Sequence, residues 1–293
     1  MSNKSKKKGI NEYQIAECNQ TGILRVLDPP SDDELAKIYS EDYYKSDKPD
    51  YIENYYKDKE WWYEVYKYRL NLMERYCNSD VTKKQLLDVG SGPGLLLECA
   101  EKMGWDAVGY EPNLDAHEFS KSKGLNVVKA YFDGTSDKVD FIYLGEVLEH
   151  IKDLKNFVKT LRDSLNDNGL LAIVVPNDGT IIHELLTDGL GLKKWYLAPP
   201  YHLNYFTVDS LSTFMKNSGF DVVHTETTFS IETMLLMGEN YLEDSTIGRK
   251  WHKRRMKWET DLLRKQPELY EKFYTNNARI GLGREIFMLV KKT

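Results

Sequence analysis

The segment LLDVGSGPGLLL, residues 86–97, places Gly90, Gly92 and Gly94 directly behind a short apolar run that ends in the acid Asp88 and Val89. Leu86, Leu87 and Val89 have the pattern of a buried parallel strand, and LLLECAEKM starts a helix, so the glycines occupy a strand-to-helix turn. Glycine there permits positive φ and lets foreign atoms approach the backbone, beside helix N–H groups that favour anions or acceptor atoms. That is the chemistry of a cofactor seat. Glu146, Glu149 and His150 in GEVLEH, and His202 in APPYHLNYFT between Tyr201 and Tyr205, are of the types that take or deliver a proton. In GRKWHKRRMKWE, residues 248–259, Arg254 and Arg255 lie within a dense cationic run that reads either as a solvated helix face or as a holder of phosphate through arginine forks. Tyr43, Tyr44, Trp61 and Trp62 read in two ways as well, as packing between helices or as a stacking surface for a ring.

The elements that must position these groups follow from the pattern around them. Strand candidates are LLDV, DAVGYE (106–111), NVVK (126–129), VDFIYL (139–144), LLAIVVP (170–176), FDVVHTET (220–227) and a last strand within GREIFMLVKK (283–292). Helices between them stop at Gly104, Gly124 and Gly219, and Ile151, Leu154, Phe157, Val158, Leu161 and Leu165 keep one helical face. The alternation predicts a doubly wound α/β sheet with ligands at the carboxyl ends of its strands. Residues 1–12 read as a disordered leader and 13–84 as an N-terminal helical cap, with Ser31 and Glu34 as a capping box. The core is expected over 85–231 and 277–293, with 232–276 as a helical insertion that forms a lid on the substrate side.

Composition narrows the function classes. A chain of 293 residues with 41% hydrophobic content can bury one sizeable core with additions. Its formal charge of −6 gives no push toward nucleic acid or an anionic membrane. Cys18, Cys77 and Cys99 are odd in number and widely spaced, which suits a reducing cytoplasm and no disulfide framework. No stretch approaches the roughly 18 apolar residues of a membrane span, so a soluble cytoplasmic protein of undefined oligomeric state is expected.

The glycine spacing separates two cofactors. A dinucleotide site needs G-x-G-x-x-G, and here the position three after Gly92 is Leu95. DVGSGPG at 88–94, GYEPN at 109–113 and VDFIYLGEVLEHIKD at 139–153 resemble, in order and spacing, three motifs of the class I S-adenosylmethionine-dependent methyltransferases. The resemblance covers roughly residues 85–230. It implies a seven-stranded sheet with a reversed last hairpin, and S-adenosylmethionine as cofactor. It further implies Asp88, Gly90, Ser91, Gly92 and Gly94 around the methionine part, Glu111 and Pro112 at the ribose, Asp133 near the adenine, and Leu144, Gly145 and Glu146 as the floor.

The acceptor is read from what surrounds that seat. Methyl transfer to a hydroxyl needs a base, and His202, His150 and Glu146 are the candidates. The stretch from Cys18 to Tyr44 resembles the N-terminal part of sugar and surface-polysaccharide methyltransferases, although Thr21 replaces the second cysteine of their zinc motif. Tyr43, Tyr44, Tyr201, Tyr205, Arg254 and Arg255 are then the expected contacts of a sugar-type acceptor, such as a nucleotide-linked sugar. Glu146, Glu149, His150 and His202 also resemble the metal set of certain ribose and quinone-type O-methyltransferases, but a metal-free base is the simpler expectation. Methylation of carbon or nitrogen, a phenolic acceptor and a non-catalytic binding protein are the alternative readings.

Overall fold

Apolar residues alternate between two packed faces along the central strands, and this alternation builds the molecule. The computed structural model describes residues 13–37, 50–77 and 84–293. In chain order its elements are β1 (Ile15–Glu17), β2 (Leu24–Val26), α1 (Asp32–Lys37), α2 (Tyr51–Lys57), α3 (Lys59–Tyr76), β3 (Gln85–Val89), α4 (Leu95–Lys102), β4 (Asp106–Tyr110), α5 (Leu114–Ser122), β5 (Val127–Val128) and β6 (Val139–Gly145). There follow α6 (Leu154–Ser164), β7 (Leu165–Pro176), α7 (Ile181–Glu184), β8 (Asn204–Tyr205), α8 (Val208–Asn217), β9 (Phe220–Thr227), α9 (Thr233–Leu236), α10 (Ser245–Lys265), α11 (Pro267–Arg279) and β10 (Glu285–Lys292).

Seven strands form one sheet in the order β5-β4-β3-β6-β7-β10-β9, with β10 antiparallel to both neighbours and the β3, β4, β5, β6 and β7 pairings parallel. Leu87, Val89, Ile142, Leu144 and Ile173 face α6 and α8, while Leu86, Phe141, Tyr143, Ala172 and Val174 face α3 and α4. Sequence neighbours thus pack into opposite layers, as the period of two requires. The order reverses direction at β3, so the turn after β3 and the loop after β6 open side by side.

Two expectations need correction. The cap is not wholly helical: β1 and β2 form a hairpin, and β2 pairs antiparallel with β8, Leu24 opposite Tyr205. The insertion is helical, but α10 and α11 lie on α3 and not across the strand ends. Trp61 and Val65 of α3 share a buried cluster with Leu263, Tyr270 and Tyr274. Glu259, buried in α10, accepts hydrogen bonds from Trp61 Nε1 at 2.6 Å and from the Tyr274 hydroxyl. The expected leader 1–12, together with Tyr43 and Tyr44, lies outside the described residues.

Candidate active site

A cleft with a cavity volume of about 990 Å³ opens at the carboxyl ends of the strands. Its first wall is the glycine turn. Gly90 has φ +76°, and a Cβ there would sit 2.5 Å from Val147 Cγ2; Gly92 has φ +52°, and a Cβ there would have no atom within 4 Å. The backbone therefore presents itself to the cleft with no side chain between it and a ligand. Glu111, at the end of β4, is 5% exposed and accepts from Gly92 N at 2.8 Å and from Asn113 N at 2.7 Å. Burial pushes its carboxyl up, while these two amides pull it back. Asn113 in turn caps α5 by accepting from Ala116 N. One carboxylate thus joins the turn after β3 to the turn after β4.

Tyr131, Phe132, Ile151 and Phe157 also line the cleft and give it apolar surface.

The chemically dense corner follows β6. Glu146 adopts φ +56°, an uncommon conformation for a side-chain-bearing residue, and its N–H donates to Val174 O at 2.9 Å. Its side chain is exposed and lines the cleft. Partial desolvation there, and next the Glu149 carboxylate, raise its carboxyl above the usual range. Glu149 is fully buried, neither carboxylate oxygen has a hydrogen-bond partner, and burial pushes it up to about 8. His150 Nδ1 lies 2.6 Å from the Tyr201 carbonyl, which can only accept, so Nδ1 carries a proton, and Nε2 lies 3.8 Å from Glu149 Oε1. The His150 and His202 rings are 5.1 Å apart, edge to face. Ligand atoms of Glu149, His150 and His202 lie within 4.8 Å of one another, a fit for a divalent cation.

What aligns this corner is a residue that the sequence motifs do not mark. Asn204 of β8 is fully buried, and its amide donates to Ile151 O at 2.8 Å and Leu148 O at 3.2 Å. Arg25 of β2 donates to Asn204 Oδ1 at 2.9 Å and to Lys152 O at 2.7 Å. The loop bearing His202 is thereby stapled to the loop bearing Glu149 and His150.

The sequence-based set is only partly assembled here. Gly90, Gly92, Glu111, Pro112, Gly145, Glu146, His150 and His202 line the cleft. Asp88, Ser91, Gly94 and Leu144 lie behind it and shape the strand ends. Asp133 is exposed and outside the lining, because its neighbours Tyr131 and Phe132 take the place expected of it. Tyr201 contributes its carbonyl, and Tyr205 is buried, its hydroxyl accepting from Ala198 N and donating to His202 O at 2.9 Å. Arg254 and Arg255 do not reach the cleft. Their guanidinium groups lie over Trp251 and Trp61, 5.1 and 5.0 Å from the ring centres, because α10 packs against α3. Asp178, Trp195, Tyr196 and Arg284 line the cleft and were not foreseen. Of these, Asp178 alone had a visible signal, its place two residues past the LLAIVVP strand.

Residues 61–225, more than half of the chain, match a family model described as a methyltransferase domain. The chain belongs to this methyltransferase family. Over 104 residues it is 30% identical to a ubiquinone biosynthesis O-methyltransferase of Azorhizobium caulinodans, covering 32% of this chain and 40% of that protein. Over 161 residues it is 27% identical to the mitochondrial ubiquinone biosynthesis O-methyltransferase of Schizosaccharomyces pombe, covering 50% of this chain and 57% of that protein. The chain spans about half the length of these curated relatives. Among solved structures, the plantazolicin methyltransferase BpumL, in complex with a monoazolic desmethylPZN analog and SAH, superposes with a TM-score of 0.53 at 16% identity, covering 88% of this chain and 94% of that one. A SAM-dependent methyltransferase from Archaeoglobus fulgidus gives 0.50 at 20% identity, covering 78% and 94%. The fold is that of the class I methyltransferases, whose cofactor is S-adenosylmethionine, and the glycine turn with Glu111 fits it. These curated relatives are not described as sugar or polysaccharide enzymes, so that part of the expected resemblance rests on the sequence alone. No helix among the described residues is long and apolar enough to cross a membrane.

Proposed function

We propose that this protein transfers a methyl group from S-adenosylmethionine to a hydroxyl of a small, sugar-type acceptor. The observation that carries the reading is the corner of Glu146, Glu149, His150 and His202 beside the floor residue Gly145. Bound S-adenosylmethionine supplies a sulfonium methyl for in-line displacement. The Gly90–Gly92 backbone and Glu111 hold the cofactor's polar parts. A ring nitrogen of His202 takes the acceptor proton, while Tyr205 and Asn204 keep its loop in place. Incubation with labelled S-adenosylmethionine and a panel of nucleotide-sugars, glycans and phenols is expected to label a sugar hydroxyl. Labelling of phenols alone would replace the sugar reading with one closer to the names of the curated relatives. Labelling of carbon or nitrogen would remove the O-methylation reading, and no labelling at all would favour a binding protein.

The three clustered ligands favour a second chemistry at the same corner. Glu149, His150 and His202 would hold a divalent ion, with Glu146 alongside, and the ion would lower the pKa of the acceptor hydroxyl. Metal analysis and activity before and after chelation separate the two. Full activity in chelator with a large loss in His202→Ala supports the base, and activity that returns only with added magnesium, manganese or zinc supports the ion.

A further inference from the structure

The cleft lining includes a set that the motifs do not describe, Asp178, Trp195, Tyr196, Glu232 and Arg284, which form its arm. Arg284, the residue before β10, has a half-exposed side chain. Its nearest carboxylate oxygen, Glu232 Oε1, is 3.6 Å away, beyond hydrogen-bond length. Asp178, just past β7, is 7% exposed, and its Oδ2 is buried without a hydrogen-bond partner. A buried carboxylate oxygen left unmatched at the edge of a cavity is costly unless a ligand completes it. One wall of the arm is aromatic. Trp195 and Tyr196 line it, both packed on the buried ring of His183 at 5.4 and 4.4 Å, and His183 is itself fixed by Thr180.

The polar groups of the arm decide what fits. Glu146, Glu149, Asp178, Glu232 and Glu285 line the cleft together with the guanidinium of Arg284. An acceptor bearing a phosphate or a carboxylate at this end would meet five carboxyl groups and one guanidinium. A neutral ring with several hydroxyls matches better, since each hydroxyl both donates and accepts, and a carboxyl beside a guanidinium can take two adjacent hydroxyls at once.

Resting on the methyltransferase reading, we propose that Asp178 and Arg284 form an acceptor-anchoring pair for two adjacent hydroxyls of a neutral polyhydroxylated ring, with that ring lying on Trp195 and Tyr196. The pair sets specificity and does not take part in methyl transfer.

The test uses the full chain saturated with S-adenosylhomocysteine and two probes, methyl α-D-glucopyranoside and 3,4-dihydroxybenzoate, followed by ligand-observed NMR titration. The glycoside is expected to bind, with its Kd raised at least tenfold in Asp178→Asn and in Arg284→Gln. Arg284→Lys, which keeps the charge but loses the fork, is expected to lie between, and Trp195→Ala to weaken the same probe. S-adenosylhomocysteine affinity by calorimetry is expected to stay within twofold in all four, which also certifies folding. No glycoside binding at 100 mM, a Kd unchanged in both pair variants, or binding of the benzoate alone through Arg284 would each overturn the proposal. Failure of the unmodified chain to bind S-adenosylhomocysteine would instead remove the methyltransferase reading beneath it.

Discussion

Glu111 serves the loop and the ligand with one carboxylate. Its two oxygens already hold Gly92 N and Asn113 N, so the residue shapes the turn that it also helps to fill. Glu111→Ala is expected to weaken S-adenosylhomocysteine binding about 10- to 100-fold, the loss of one or two hydrogen bonds to a charged group; calorimetry showing an unchanged Kd would mean the ribose finds its partner elsewhere. Asp88 makes a different prediction, in pH. Burial, and next the Glu111 charge, push its carboxyl up to about 8 from an ordinary value of 3.8. Between about pH 4 and pH 8 the folded state therefore holds a proton that the unfolded chain has lost, so this group's contribution to stability falls as pH rises through that window. Asp88→Asn removes the effect, and its melting temperature relative to the parent is expected to be higher at pH 8 than at pH 5 by up to about 8–16 °C, from about 1.4 kcal/mol per pH unit at roughly 2–4 °C per kcal/mol. Parallel curves for the two proteins would show that Asp88 is ionised in the fold.

At the scale of elements, Asn204 joins two loops whose side chains must meet. Asn204→Leu leaves the carbonyls of Leu148 and Ile151 without their donor, and kcat is expected to fall at least tenfold while cofactor affinity holds. A proportional loss of both would mark a general folding defect. This staple also shows why part of the site could not be read from the chain. The βα alternation was legible because apolar period and terminal glycines are local signals, and β9 falls on 220–227 as its pattern predicts. The hairpin of β1 and β2 has strands of three residues and owes its place to β8, nearly 180 positions away, so no local window carries it. Phe132 is buried and lines the cleft while Asp133 is exposed, a difference of one position that composition does not reveal. Arg254 is exposed while Arg255 lies over Trp61 of α3, so a charge run does not say which of its members the packing against a neighbour will take.

The choice made by α10 matters to the molecule as a whole. Glu259 ties the insertion to α3 through Trp61 and to α11 through Tyr274, inside a buried cluster. Glu259→Ala strands both donors, at about 1–3 kcal/mol each, and is expected to lower the melting temperature by several degrees with little change in cofactor affinity. Arg254→Ala is expected to leave melting temperature and turnover unaltered; a raised KM would return the insertion to the cleft. The long-range pairing of β2 with β8 has its own consequence in time. During synthesis the first strands emerge long before Asn204 and Tyr205, and they wait unpaired on that side while the parallel strands β3 to β7 form. Closing so distant a contact is entropically slow. The loop that aligns His202 with His150 is thus late to lock, and a refolding chain regains its parallel strands before it regains a working corner.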